Sequence, residues 1–167
     1  MASHLEAEDI AHIEIETYEH VREEGDRKEL NSPMDATFSL YYNVAAYVLG
    51  GGSMCVDDFT SVAIRRQEHK DFMEKITIRS REDFSAMYPE KLPFRAIVEA
   101  KDGRRFEYTT LYQLGSVENP LSDEDLLKKW RSLFYEKYDT EHTEKILDVL
   151  LNLENSPSVK SVWKLME

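Results

Sequence analysis

Residues 31–52 read NSPMDATFSLYYNVAAYVLGGG, and this pattern predicts one helix with a marked start and a marked end. Ser32 is a preferred N-cap residue, and Pro33 suits the first helical position, where no backbone N–H is needed. Asp35 can return a hydrogen bond to the cap and complements the helix dipole. The glycines at 50–52 end the helix. They do not form a phosphate loop, because they follow a helix and lack the Lys-Ser/Thr ending.

The predicted helix has an apolar face and a polar cluster. The apolar residues recur at three- and four-residue spacing, as expected for a buried stripe: Met34, Phe38, Tyr41, Ala45 and Val48. The polar cluster consists of Ser39, Tyr42 and Asn43, which lie within one turn of each other. Two interpretations are open. These groups either form local hydrogen bonds without a chemical role, or they face a ligand.

Composition limits the function classes. The 167 residues contain 21 Lys and Arg against 33 Asp and Glu, a formal net charge of -12. This argues against a nucleic-acid or anionic-membrane partner, because both require positive surface. Cys55 is the single cysteine, which excludes an internal disulfide and fits a reducing, cytoplasmic setting. No apolar run approaches the roughly 20 residues that span a membrane. Residues 1–6 are interpreted as a leader outside the fold.

Alternating apolar and polar residues predict a small sheet. Residues 9–18 and 75–80 alternate and predict two strands. Residues 95–100 and 104–110 flank Asp102-Gly103, a dipeptide typical of tight hairpin turns. We interpret residues 19–30 as a connection and residues 81–93 as a packed loop.

The remaining segments predict helices. Residues 56–73 fit two short helices. Ser122 is the predicted cap of a helix with a buried face formed by Leu126, Leu127, Trp130, Leu133 and Phe134. Thr140 is the predicted cap of the next helix, and a last helix begins near Ser158. Residues 7–167 therefore predict a single α+β domain. It has a mixed or antiparallel sheet of three or four strands packed with helices, and a helical C-terminal extension.

The sequence contains none of the common motifs that identify a catalytic reaction. The chain lacks a nucleophile elbow, a His-Glu-x-x-His pair and a dinucleotide-binding glycine pattern. The acidic clusters at 57–58 and 123–125 fall at helix starts, where the helix dipole explains them, so no metal site is predicted. Glu68-His69 and Glu141-His142 are interpreted as surface pairs, because adjacent residues point to different sides of a helix.

The central helix and its flanks resemble the signature of the MmgE/PrpD family. The resemblance rests on SPMDA at 32–36, on FSL at 38–40, and on Tyr42 with the Val-Ala that follows Asn43. Residues 9–15 resemble the strand that opens the family's second domain, and residues 101–104 resemble its hairpin turn. Residues 119–125 and 152–154 resemble the start and end of its C-terminal helices. Together these segments place about residues 7–166 in the C-terminal lid domain of that family.

The resemblance implies an enzyme without a cofactor that acts on small polycarboxylates. The family includes 2-methylcitrate dehydratase, cis-aconitate decarboxylase and iminodisuccinate epimerase. In it a large helical domain carries most catalytic groups, and the lid closes over the substrate. By resemblance, Tyr42 is the catalytic lid tyrosine, with Ser39 and Asn43 as substrate-binding residues. Tyr41 stands where the family usually has a proline or another residue, so either tyrosine of the pair can face the site.

Two functions from different classes follow. In the first, the chain is the lid of a dehydratase-, decarboxylase- or isomerase-like protein and is inactive without a helical partner domain, because the family's Lys/His-bearing segment has no counterpart in these residues. In the second, it is a non-catalytic binding or interaction module that reuses the lid fold. Self-association would then cover the surface that meets the helical domain.

Overall fold

The computed structural model describes residues 5–166, except the side chain at 161. The chain divides into two compact units, one ending at Pro120 and the other beginning at Leu121. Of the predicted leader, residues 1–4 lie outside the described residues. Leu5 and Glu6 line a cavity of about 590 Å³ in the N-terminal unit. No helix within residues 5–166 combines the length and apolar character needed to cross a membrane.

The N-terminal unit is built on one four-stranded sheet. Its strands are β1 (Ile10–Thr17), β2 (Ile76–Ser80), β3 (Phe94–Ala100) and β4 (Arg105–Thr110). The order across the sheet is β2-β1-β3-β4; β1 and β2 are parallel, and the other two pairs are antiparallel. The predicted α+β class with a small mixed sheet is confirmed.

β1 lies between β2 and β3 in the sheet, and its inward face is buried. Ile13, Ile15 and Thr17 are buried, and they alternate with half-buried polar residues, as the sequence predicts. The predicted hairpin is also confirmed, with Gly103 at a positive φ of 86° in the turn between β3 and β4. Such an angle favours glycine, which has no Cβ to collide with the backbone.

The described part of the N-terminal unit also has five helices, and the second, third and fourth share a hydrophobic core with β1 and β2. They are α1 (Glu19–Gly25), α2 (Pro33–Phe38), α3 (Leu40–Leu49), α4 (Gln67–Met73) and α5 (Glu82–Ser85), with 3₁₀ turns at Ala7–Asp9, Val56–Phe59 and Ala63–Arg65. The predicted connection at 19–30 therefore contains a helix, and so does the predicted loop at 81–93. Between positions 56 and 73 the structure has two 3₁₀ turns and one helix in place of two helices.

The prediction of one continuous central helix is wrong. Ser39 has extended backbone angles (φ −81°, ψ 115°) and separates α2 from α3. The break changes the phase of the apolar spacing, so Tyr41 and Ala45 are buried whereas Met34 and Phe38 are exposed. The predicted ends are confirmed, with a reciprocal Ser32–Asp35 capping box at the start and a glycine C-cap at the end.

The described part of the C-terminal unit contains three α-helices. These are α6 (Asp123–Phe134), α7 (Thr140–Leu151) and α8 (Lys160–Met166), with a 3₁₀ turn at Leu153–Asn155. Ser122 caps α6 as predicted, but α7 is capped by Asp139, whose carboxylate accepts from the backbone N–H of His142 at 2.8 Å. Aspartate is the stronger cap because its charge also complements the helix dipole.

The predicted buried face of α6 is wrong. The helix has no fully buried residue, and Leu133 remains 48 % exposed. Burial concentrates on α7, where Ile146 and Leu147 are almost completely covered. A short unit has a high ratio of surface to volume, so one amphipathic helix stays only partly covered.

An ion cluster on the outward face of the sheet gives a first testable prediction. The Glu16 carboxylate lies 3.1 Å from a guanidinium nitrogen of Arg81 and 2.7 Å from one of Arg95. Partial burial raises the pKa of Glu16, but the hydrogen bonds and charges of the two arginines outweigh it and lower that pKa from its usual 4.5. Glu16→Gln should lower the free energy of unfolding at pH 7 by about 1 kcal/mol, since solvent screens part of the attraction.

The pH dependence follows from the lowered pKa. The contribution of Glu16 is complete above its unfolded pKa of 4.5 and is lost as the pH falls through the folded value. Urea unfolding at neutral and acidic pH measures this, and the difference between wild type and Glu16→Gln should shrink in acid. Glu14→Gln is the matched control, because Glu14 pairs with the largely exposed Arg79. Equal losses in the two variants would contradict the prediction.

Candidate functional site

Tyr42 is the centre of the candidate site and is completely buried in α3. Its phenol donates a hydrogen bond to the main-chain carbonyl of Asp58 in the 3₁₀ turn Val56–Phe59. Phe59 meets the tyrosine ring edge-on at 5.8 Å, and His69 stacks on it at 5.3 Å with 19° between the planes. Burial, helped by the Asp58 charge, raises the pKa of Tyr42. The phenol therefore keeps its proton at neutral pH and acts as a donor.

Ser39 and Asn43 form the break between α2 and α3. The Ser39 hydroxyl accepts from the Tyr42 N–H at 3.1 Å and donates to the Arg27 carbonyl. The Asn43 amide donates to the carbonyls of Ala36, Thr37 and Ser39 at 3.1, 3.1 and 2.7 Å. The Ala36 carbonyl also accepts from the Ser39 N–H at 3.1 Å, and the Ser39 carbonyl accepts from the Asn43 N–H at 3.0 Å, so the Asn43 amide adds to the main-chain hydrogen bonds at this break. Both side chains thus have hydrogen-bond partners within the chain, and a substrate-binding role for them stays a prediction.

The two adjacent tyrosines point to different partners. The Tyr41 phenol donates to a carboxylate oxygen of Asp26 at 3.0 Å, and the Lys28 ammonium lies 5.0 Å from the Tyr41 ring centroid. Burial and the neighbouring Asp26 raise the pKa of Tyr41 to about 12. Tyr41 is tied to a side chain, whereas Tyr42 is tied to a main-chain carbonyl.

The family model for the MmgE/PrpD C-terminal domain matches residues 1–155. The chain belongs to the MmgE/PrpD family. The match confirms the resemblance seen in the central helix and its restriction to the family's C-terminal, lid-type domain. No curated protein matches the sequence.

In this MmgE/PrpD domain, His69 is the site residue that the sequence did not indicate. The prediction of a surface histidine is wrong, because His69 is only 3 % exposed and its ring, which extends from α4, stacks on Tyr42. Burial lowers its pKa, with the charge of Arg66 acting in the same direction and those of Glu68 and Asp58 opposing it. A signal was present, since His69, Phe72 and Met73 have the spacing of one buried helix face.

The surroundings of the site do not suggest a metal centre. Within residues 5–166, no group of three or more His, Cys, Asp or Glu side chains is arranged to hold a metal ion.

A cleft of about 370 Å³ elsewhere in the unit is lined by Lys28, Arg65 and Lys70. Lys28 is already paired with Glu74 at 3.0 Å, so the cleft retains two free cationic side chains among the described residues.

Proposed function

We propose that this chain is the lid of an MmgE/PrpD-type lyase or isomerase that acts on small polycarboxylates together with a helical partner domain. The observation that carries the proposal is the family match over residues 1–155 on an α+β fold. On this proposal the chain alone is inactive, and it needs no cofactor of its own.

Electrostatics support the need for a partner. The chain carries a formal charge of -12, which repels a polycarboxylate at long range. The groups of the candidate site, Ser39, Tyr42 and Asn43, are neutral at pH 7 and offer hydrogen bonds without positive charge. A basic surface on the partner domain would supply the attraction and the remaining acid and base groups.

Exposed apolar side chains also support a partner. Six of the sixteen large apolar side chains that are exposed among the described residues lie in and after α2 and α3: Met34, Phe38, Tyr47, Met54, Val56 and Val62, between 41 % and 76 % exposed. Exposed apolar residues in one region typically mark an interaction surface. We propose that the partner covers this segment.

Tyr42 is the residue proposed for proton transfer or for binding a substrate carboxylate. Its raised pKa keeps the phenol protonated at neutral pH, which suits a hydrogen-bond donor to a substrate carboxylate. Its phenol now binds the Asp58 carbonyl, so contact with substrate requires the turn Val56–Phe59 to release it. Gly51 and Gly52, both at positive φ, precede this turn and supply backbone freedom for such a movement.

Reconstitution tests the proposal. The chain would be mixed with separately produced helical domains of the family, and consumption of cis-aconitate or 2-methylcitrate would be followed. We expect no turnover by the chain alone and turnover in a mixture with a matching basic domain. Turnover by the chain alone, or failure of every helical domain to bind it, would contradict the proposal.

A non-catalytic interaction module is the second candidate. Its specific support is the complete burial of Tyr42, whose phenol has its partner within the chain. On this alternative the exposed apolar segment meets a second copy. Light scattering separates the two: a stable dimer that binds no helical domain favours the module, whereas a monomer that binds one favours the lid.

A further inference from the structure

Three groups contact the Tyr42 side chain, and one of them, the His69 imidazole, can gain a positive charge. Phe59 contacts the ring edge, the Asp58 carbonyl accepts from the phenol, and His69 covers a ring face. Histidine is the side chain whose unperturbed pKa lies closest to neutral pH. His69 is therefore the contact through which mild acid can act on Tyr42.

Packing alone does not explain a histidine at this position. The His69 Nδ1 is buried and has no hydrogen-bond partner among the described residues. A phenylalanine would fill the same space without leaving a buried polar atom unpaired, which is unfavourable. His142 provides a contrast: it stacks on Tyr138 at 4.9 Å, but its Nε2 contacts the Leu165 carbonyl.

The charged groups around His69 show where a proton would be held. Glu68 Oε1 lies 3.9 Å from Nδ1, and the Glu68 side chain is 62 % exposed. The other charges that act on the ring are Arg66, next to α4, and Asp58, in the 3₁₀ turn. A charge-assisted N–H···O bond is about 2.8 Å long, so bonding a protonated Nδ1 to Glu68 requires a movement of about 1 Å. Such a movement shifts the imidazole across the Tyr42 ring.

We propose that His69 is a positioning residue for Tyr42: the neutral imidazole holds the phenol on the Asp58 carbonyl, and a proton on Nδ1 releases it. The proton comes from hydronium in the solvent, which releases water as an N–H bond forms at Nδ1, and this N–H then donates to the Glu68 carboxylate; no other bond changes. The positioning itself is a property of this chain, whereas its importance for catalysis rests on the proposed function of Tyr42.

Nuclear magnetic resonance on the whole chain tests this, with ¹³C-labelled tyrosine and histidine rings followed from about pH 8 to about pH 5. In the wild type, the Tyr42 ring signals should shift with the same midpoint as the His69 imidazole. That shift should vanish in His69→Phe, and in Glu68→Gln its midpoint should move to lower pH because the carboxylate that favours the proton is gone. His142→Phe is the matched control and should leave the Tyr42 titration unchanged.

Two results would overturn the proposal: Tyr42 signals that stay constant while His69 titrates, or a Tyr42 transition that persists in His69→Phe. If His69→Phe does not fold, Glu68→Gln decides alone, because this exposed position tolerates substitution and an unchanged midpoint counts against the proposal. The experiment uses neither substrate nor partner. If reconstitution fails, the titration still tests the role of His69. If the titration fails, reconstitution still tests the lid function.

Discussion

Tyr42→Ala should lower the free energy of unfolding of the N-terminal unit by about 3–5 kcal/mol, the range for removing a large buried aromatic side chain. Tyr42 is fully buried, and its ring is the common contact of Phe59 and His69. Its loss leaves a cavity and removes the donor for the Asp58 carbonyl. Urea unfolding followed by circular dichroism measures the change.

The matched control lies in the same helix. Tyr47→Ala removes a tyrosine of α3 that is 51 % exposed, so its cost should be much smaller. Similar losses of unfolding free energy in the two variants would show that Tyr42 does not stabilise the core as its burial implies.

Tyr42→Phe separates stability from chemistry. It keeps the ring and removes only the phenol, so the free energy of unfolding should fall by about 1 kcal/mol. In a reconstituted enzyme, kcat should fall by about 100-fold if the phenol transfers a proton. Unchanged turnover with a stable fold would remove Tyr42 from any catalytic role and favour the interaction module.

Local patterns were sufficient to predict the first strand, the hairpin and the start of the central helical segment. The alternation in β1, the Asp102-Gly103 turn and the Ser32–Asp35 capping box depend on residues close in sequence, and the structure confirms each of them. The parallel pairing of β1 with β2 joins segments about sixty residues apart, and no local pattern specifies it.

The break at Ser39 was not predictable from spacing. Serine is tolerated within a helix, and the apolar pattern continues across it. What decides the break is hydrogen bonding: the Ser39 hydroxyl bonds to the distant Arg27 carbonyl, while Asn43 takes the terminal carbonyls of α2. The sequence correctly placed Ser39, Tyr42 and Asn43 close together, but their partners come from other segments.

The place of His69 in the site was not predicted, for a related reason. The segment around His69 is charged, and only its spacing with Phe72 and Met73 indicates a buried face. Its contact with Tyr42 depends on how α4 packs on α3, which is a tertiary property. Residues from separate helices are brought together here without any motif that links them.

Gly25→Ala is the second large effect that we expect, with a loss of about 1–2 kcal/mol in the free energy of unfolding. Gly25 is buried at the end of α1, and a Cβ there would lie 2.5 Å from Leu40 Cγ and 2.8 Å from its Cδ1. Alanine favours a helix over glycine by about 1 kcal/mol, but overpacking a tight contact costs about 1–3 kcal/mol. The steric term should prevail, because the closest atom is Cγ, near the backbone of Leu40, and Leu40 begins α3 directly after the Ser39 cap.

A double-mutant cycle with Leu40→Ala tests the cause. If the clash is responsible, the Gly25→Ala/Leu40→Ala protein should be more stable than the sum of the single changes predicts, by about 1 kcal/mol or more. With leucine removed, the helix preference of alanine remains as a gain, so Gly25→Ala should become neutral or stabilising in the Leu40→Ala background. Additive losses would instead locate the cost in the backbone of α1. The α1–α3 contact would then not be what fixes the position of Ser39 and, through it, of Tyr42.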